Sequence, residues 1–330
     1  MEQRTDSRAS DTREVLVAED LRKQYGPRQA LRGLTFVLRA GRMLGFLGPN
    51  GAGKTTSIRI LTTIMEPDGG RFTVDGIGHE RPDEIRRRIG VLPESFGLPK
   101  QMTGIEYLIY FGQLYGRSAR DAKEYGMALL AEVGLERRAR SLVGTYSHGM
   151  RQRLGIARAL VNDPVVVFLD EPTIGLDPRG QQELLGLVRG IARERGAGVI
   201  LCSHLLTEVE GVCDDVVILS AGEVVATGSV AEIIGGVARN AIRIQVPESS
   251  VADSERALAA APGVMNVTTS QATPGWLRVE VKNGGTPSDH QVNNTLLDAL
   301  IHAGVPILSF EPAGGRLQDV FLHLTAEGIK

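Results

Sequence analysis

A mixed α/β fold followed by a smaller α+β domain is the fold class this chain predicts, and three observations carry the prediction. Residues 43–47 are a short apolar run, and they lead into Gly48-Pro49-Asn50-Gly51-Ala52-Gly53-Lys54-Thr55-Thr56. Residues 55–64 then place Ile58, Ile60, Leu61 and Ile64 at helical spacing, so the order is buried strand, glycine loop, helix. Residues 165–169 are five consecutive apolar residues, the mark of a strand buried on both faces of a parallel sheet, and they end in Asp170-Glu171-Pro172. Beyond Gly235-Gly236 the rhythm changes to short strands and helices.

Taken in order, Val15-Leu16-Val17-Ala18 starts a strand, Tyr25-Gly26 turns the chain, and residues 31–38 form a second strand. An antiparallel pair therefore leads into the strand at 43–47. Tyr25 lies ahead of the glycine loop, where an aromatic either stacks on a base or packs. Residues 66–70 are a turn, 71–75 a strand and Gly76-Ile77-Gly78 another turn. Residues 82–88 suit a short helix, and 89–92 a strand ending at Pro93-Glu94. From 103 to 143 the apolar period is helical throughout, which implies an all-helical insert. Ser147 can cap a helix over 151–161, and the exposed start of that helix is an anion site. Gly175-Leu176-Asp177-Pro178 is a tight connection to a helix over 181–195. A strand at 198–202 ends in Ser203-His204, and 216–219 and 224–227 form a hairpin about Ala221-Gly222. In the last part, strands at 241–246, 264–269, 276–281 and 307–310 and helices at 251–261 and 292–302 give β-α-β-β-α-β, the split βαβ of ferredoxin-like domains. An amphipathic helix over 317–324 follows.

The residue types of the loop explain themselves chemically. Gly48, Gly51 and Gly53 allow successive backbone N–H groups to turn inward around a polyphosphate, and the helix that follows points its positive end at the same anion. Lys54 then reaches the outer phosphates, while the Thr55 hydroxyl suits Mg²⁺. Two adjacent carboxylates at a strand end, Asp170 and Glu171, point to chemistry rather than to structure.

Composition bounds the rest. The chain has 330 residues, 42% hydrophobic and 23% charged, enough for one large and one small domain. A formal net charge of −2 carries no nucleic-acid footprint, so no direct nucleic-acid partner is expected. The strongest apolar run, 165–169, is far short of a membrane span. Residues 1–14 are polar and charged, and are expected to be a disordered tail without a signal peptide, which places the chain in the cytoplasm. Cys202 and Cys213 have no metal-ligand spacing and read as buried thiols.

Together these motifs resemble the nucleotide-binding subunits of ATP-binding cassette (ABC) transporters. The glycine loop, Ser147-x-Gly149 at a helix start, Asp170-Glu171-Pro172, Gly175-Leu176-Asp177 and His204 occur in that family's order. The resemblance covers about residues 16–227. Less specifically, the tail resembles the C-terminal extension of drug-resistance-type and other type-2 exporter ATPases. It implies a P-loop NTPase cassette over 15–236, with a mixed sheet core, an antiparallel β subdomain and a helical subdomain over about 95–146, and an accessory domain over 237–330.

It also implies ATP and Mg²⁺ as cofactors. Tyr25 takes the adenine-stacking position, residues Gly48, Pro49, Asn50, Gly51, Ala52, Gly53, Lys54, Thr55 and Thr56 hold phosphates, and Thr55, Glu94 and Asp170 serve the metal. Glu171 is the general base and His204 contacts the γ phosphate. Ser147, Gly149 and Asp177 belong to the contact with a second copy, or a homologous cassette, arranged head to tail. Separate transmembrane permease subunits on the inner face of the cell membrane complete an exporter. A soluble cassette ATPase acting on ribosomes or DNA is the alternative; it is disfavoured by the single cassette and the absence of a long coiled coil. Two positions depart from the family's usual pattern. Its Leu-Ser-Gly-Gly-Gln reads Tyr146-Ser147-His148-Gly149-Met150 here, and Glu94 stands where a Gln usually meets Mg²⁺.

Overall fold

The computed structural model describes residues 13–95, 97–238, 241–269, 274–281, 290–312, 316–318 and 320–321. It divides into two compact units, one running to Gly228 and the other starting at Ser229. The expected tail at 1–14 lies almost wholly outside the described residues, as does half of the helix expected at 317–324.

The first unit has two sheets. Strands β1 (Glu14–Tyr25) and β2 (Arg28–Arg39) pair antiparallel, and the second belongs to the same sheet as the later β4 (Gly69–Val74) and β5 (Ile77–Gly78), in the order β2-β1-β4-β5. Strand β3 (Met43–Leu47) lies in a separate six-stranded sheet with β6 (Ile89–Leu92), β7 (Val166–Asp170), β8 (Gly198–Cys202), β9 (Asp215–Ser220) and β10 (Glu223–Ser229). The order is β10-β9-β3-β8-β7-β6. From β9 across to β6 every pairing is parallel, which explains why β3 and β8 are buried at every position. Phe36 of β2 meets Phe46 of β3 edge to face, ring centroids 5.1 Å apart, and so joins the two sheets in one core.

Helices cover these sheets. They are α1 (Lys54–Leu61), α2 (Pro82–Arg86), α3 (Gly104–Leu114), α4 (Ala119–Glu132), α5 (His148–Ala159), α6 (Pro178–Arg195) and α7 (Leu206–Val212). The helical insert starts at a capping box: the Glu106 N–H bonds Thr103 Oγ1 at 3.3 Å, and the Thr103 N–H bonds Glu106 Oε2 at 2.8 Å. Its α4 is fastened to α6 by Arg195, which forks onto Glu132 at 2.9 and 2.6 Å and also bonds the Tyr125 hydroxyl and Asp163.

Several sequence expectations move. The helix expected to reach residue 64 ends at Leu61, because Thr63 turns into the left-handed region at φ 59°, and this leaves Ile64 72% exposed rather than in the buried stripe. Gly76-Ile77-Gly78 is not a plain turn. Asp75 and Gly76, both at positive φ, make the turn, and Ile77–Gly78 pairs with β4 as β5. Helix α5 begins three residues early, at His148, and α6 begins at Pro178 because Asp177 caps it. Helix α7 follows β8 with no forewarning from periodicity, since seven residues are too few to display it.

In the second unit, α8 (Val230–Ala238) runs straight through Gly235-Gly236, where the sequence suggests a break. After it come β11 (Ala241–Gln245), α9 (Val251–Ala259), β12 (Val264–Thr269), β13 (Trp276–Val281), α10 (His290–His302) and β14 (Ser309–Pro312). The sheet order β12-β13-β11-β14, antiparallel at each pairing, is the ferredoxin-like arrangement. Its own core includes Ile242, Ile244, Leu258, Leu277, Val279, Leu296 and Leu300.

Because each unit has a core of its own, a chain ending at Gly228 is expected to unfold in one cooperative thermal transition. Loss of that transition in a thermal scan would show instead that the two units fold as one.

Candidate functional site

Three neighbouring strands end at one level. In the sheet, Phe46 of β3 pairs with Cys202 of β8, and Cys202 pairs in turn with Asp170 of β7. The residues that leave these strands therefore emerge side by side at the carboxyl edge, where ligands of open α/β sheets bind. They line a cleft of about 620 Å³.

The glycine loop forms one wall. Gly48 has no room for a side chain: a Cβ there would lie 2.5 Å from the Leu219 carbonyl oxygen and 2.8 Å from the Ala52 Cβ. Gly53 sits at φ 111° as the N-cap of α1, with no side-chain cap, so the first N–H groups of the helix face the loop unclaimed by a capping side chain. Asn50, Gly51, Gly53, Lys54, Thr55 and Thr56 line the cleft; Gly48, Pro49 and Ala52, expected at the phosphates with them, do not, Ala52 being buried. The Lys54 ammonium donates to the Gly48 carbonyl at 2.5 Å and to that of Pro49 at 3.3 Å.

The carboxylates form the floor. Burial pushes the Asp170 carboxyl above its ordinary range, and the nearby charges of Glu94 and Glu171 push the same way, with Lys54 and Arg59 opposing. Glu171 takes the left-handed conformation at φ 50°, uncommon for a residue with a Cβ, while its N–H bonds the Cys202 carbonyl at 2.9 Å. This sharp exit from β7 brings its carboxylate Oε2 to 2.7 Å from His204 Nδ1. A carboxylate only accepts, so Nδ1 carries the hydrogen in this bond. The His204 loop is tied down on both sides: the buried Ser203 hydroxyl donates to Glu208 Oε2 at 2.6 Å and accepts from the Leu205 N–H at 3.1 Å.

Tyr25, at the end of β1, lines the rim 42% exposed, with its hydroxyl on the Met65 sulfur at 3.0 Å. Arg28 faces it across the hairpin and donates to the Gly51 carbonyl at 3.2 Å. Sequence reasoning missed Arg28, Ile174 and Glu208. The first was within reach, since a hairpin turn after Tyr25 returns the next residues to the same rim.

Ser147, Gly149 and Asp177 do not line this cleft. Ser147 caps α5 by accepting from the Met150 N–H at 3.3 Å, and Asp177 caps α6 by accepting from the Gly180 N–H at 2.9 Å. The Asp-Pro pair at 177–178 is the usual signal for a cap followed by the first helical residue, and it was legible. Cys202 and Cys213 are free and buried, and burial pushes both thiols up, away from reactivity.

Comparison with known proteins places this geometry. A family described as ABC transporter matches residues 31–174. The linearmycin resistance ATP-binding protein LnrL of Bacillus subtilis (strain 168) is 32% identical over 318 residues, which cover 96% of this chain and 100% of that protein. The daunorubicin/doxorubicin resistance ATP-binding protein DrrA of Streptomyces peucetius is 36% identical over 307 residues, covering 92% and 90%. Among solved structures, the dimeric structure of MJ0796, a bacterial ABC transporter cassette, superposes with a TM-score of 0.59 at 25% identity, covering 65% of this chain and 98% of that one.

The raised Asp170 carboxyl makes a stability prediction. Its folded-state value lies above the unfolded one, so the stability it contributes is fullest at acid pH and is lost as the pH rises through the raised value. Asp170→Asn is therefore expected to raise the melting temperature of the ligand-free protein at pH 7, with the gap closing toward pH ~4, where the unfolded carboxyl also binds its proton. Melting curves across that range check it; an equal or lower melting temperature for the variant at pH 7 contradicts it.

Proposed function

Since this chain belongs to the ABC transporter family of ATP-binding proteins, we propose that it is the ATP-hydrolysing subunit of an exporter and that its residues work as a pair of half-sites shared between two copies. It binds ATP and is an ATPase. The observation that carries the site reading is the convergence of glycine loop, Asp170-Glu171 and His204 at three strand ends in register, with Glu171 and His204 2.7 Å apart.

The proposed roles follow from position. Tyr25 offers its ring to adenine. Asn50, Gly51, Gly53 and the start of α1 hold the phosphates by N–H groups, and Lys54 exchanges the Gly48 carbonyl for phosphate oxygens. Glu171 is the general base: one carboxylate oxygen is held by His204, which leaves the other to orient and deprotonate the attacking water. His204, fixed through Ser203, then has Nε2 left over toward the transferred group. Phosphoryl transfer asks for positioning and charge stabilisation more than covalent chemistry, and this is what the floor of the cleft supplies.

The donor set fits Mg²⁺. Glu94, Asp170 and Glu171 accumulate negative charge with Asp170 partly desolvated, and Thr55 adds a hydroxyl in the same cleft. Among the described residues no group of three or more His, Cys, Asp or Glu makes a metal cage, which suits an ion held mainly by phosphates and water. Thr55, Asp170 and Glu94 would hold it, and bound there it would neutralise charge on the outer phosphates.

Ser147 and Gly149 lie at the start of α5, outside the cleft of their own chain, and the MJ0796 cassette of similar fold is dimeric. In the proposed dimer they meet the ATP held by the second copy, with Asp177 at the same contact. The two relatives are named for resistance to linearmycin and to daunorubicin and doxorubicin, and these names support an exporter rather than a ribosome- or DNA-directed ATPase. Separate permease subunits and a place on the inner membrane face belong to this proposal. No helix among the described residues is long and apolar enough to cross a membrane.

Glu171→Gln is expected to lower ATP turnover about 10²-fold or more, the usual range for loss of a general base, while ATP-loaded dimer accumulates in size-exclusion chromatography. Near-normal turnover would remove Glu171 from that role. Lys54→Ala is expected to weaken ATP binding in a fluorescence titration, and an unchanged affinity would take Lys54 off the phosphates.

A further inference from the structure

One position at which this chain departs from the family's usual pattern is also a contact point. His148, the first residue of α5, directs Nε2 to 2.7 Å from the carbonyl oxygen of Ile174, in the loop that joins Glu171 to the α6 cap at Asp177. A carbonyl only accepts, so Nε2–H donates. The loop is shaped to receive the ring. Gly175 sits at φ 76°, and a Cβ there would lie 3.2 Å from His148 Nε2, tight against the imidazole. One residue on, Leu176 comes within 3.5 Å of where a Cβ on Gly149 would stand. The loop is thus applied to the start of α5 at two successive points.

The other end of the same loop is catalytic in the proposed reading. The Ile174 N–H bonds the Glu171 carbonyl at 3.3 Å, and the Ile174 side chain lines the cleft beside Glu171. From Ser147 to Glu171 the path runs through one covalent neighbour, His148, and two hydrogen bonds.

We propose that His148 is a positioning residue for ATP hydrolysis: its bond to the Ile174 carbonyl ties the helix start that carries Ser147 to the loop that carries Glu171. It rests on the reading that Ser147 faces the ATP of a second copy. When that nucleotide engages the start of α5, the tie transmits the shift to the general base of the chain's own site, so the two sites hydrolyse cooperatively. A glycine at position 148 could not make this bond.

The test uses the full-length chain and steady-state ATPase kinetics over a range of ATP concentrations. The wild type is expected to show a Hill coefficient above 1. His148→Ala is expected to lower kcat about fivefold, the worth of one hydrogen bond, with KM little changed and the Hill coefficient falling toward 1. His148→Gln, whose amide N–H reaches about as far as Nε2, is expected to restore both; a purely structural role would not be rescued in the Hill coefficient. Should His148→Ala fail to fold by thermal melt, His148→Gln against His148→Glu, equal in length but without the donor, makes the same decision. Wild-type values in the donor-less variant, a Gln variant as impaired as Ala, or a wild-type Hill coefficient of 1 overturns the proposal. Ser147→Ala separates the two layers. If it lowers kcat while His148→Ala does not, the tie alone fails; if it leaves kcat and the Hill coefficient unchanged, the shared-site reading on which the tie rests fails.

Discussion

The constraint on which this cassette depends is parallel register. Phe46, Cys202 and Asp170 stand in line across β3, β8 and β7, and because β3 and β8 are buried at every position, a one-residue slip would exchange the side chains packed on their two faces and disrupt close packing on both. The level at which these strands end is set by packing, far from any chemistry. Gly45 in β3 shows how tightly. A Cβ there would come within 2.3 Å of Val209 on α7, so that helix lies directly on the strand and holds the His204 loop against the sheet edge. The geometry of the cleft is thus inherited from a close-packed interior, which is why the site can afford strained and desolvated groups.

Those groups are costly in the ligand-free chain. Asp170 is driven toward its neutral form by burial and by the two carboxylates beside it, and Lys54 spends its charge on backbone carbonyls. Both features are resolved by the same event in the proposed reading. A polyphosphate there would pair with the Lys54 ammonium, and an accompanying cation held by Glu94 and Asp170 would offset the repulsion among Glu94, Asp170 and Glu171. Binding energy drawn from that relief is available only to a ligand that brings a cation with it. In the proposed reading this charge pattern would favour a metal-nucleotide complex over a bare anion.

How much of this was legible in the sequence follows from how local each signal is. The glycine loop, Asp170-Glu171 and the Ser147 cap are contiguous patterns whose backbone consequences stay within a few residues. The exit of β7 is also local, but the left-handed Glu171 was invisible, since nothing in Asp-Glu-Pro prescribes a positive φ; the carbonyl of Cys202, thirty-one positions away in the chain, draws the N–H there. Contacts such as His204 to Glu171 and Ser203 to Glu208 depend on the lateral order of strands and on a helix too short to show a period. Ile64 misled because the apolar spacing continued past the point where Thr63 turned the backbone. The glycine pair at 235–236 misled because glycine's preference for leaving a helix is only about 1 kcal/mol per residue, which packing routinely overrides.

The same locality separates the two halves of the proposed site. The glycine loop, Asp170-Glu171 and His204 reach the cleft from strand ends of the six-stranded sheet, and Tyr25 and Arg28 join them from the β1–β2 hairpin, whereas Ser147 and Asp177 sit at helix starts, each already using its side chain as a cap. A capping side chain is held in one rotamer by its own backbone, so its remaining lone pairs and the adjacent N–H groups are presented outward at low entropic cost. Such a surface is preorganised for an anion that its own chain cannot deliver. Within one chain a short connection between that surface and the proposed general base is the segment from Glu171 to Asp177, fixed at one end by the left-handed exit from β7 and at the other by the cap of α6. In the proposed coupling a displacement of α5 is passed to Glu171 through this segment, and the absence of a side chain at Gly175 is what lets His148 reach its middle.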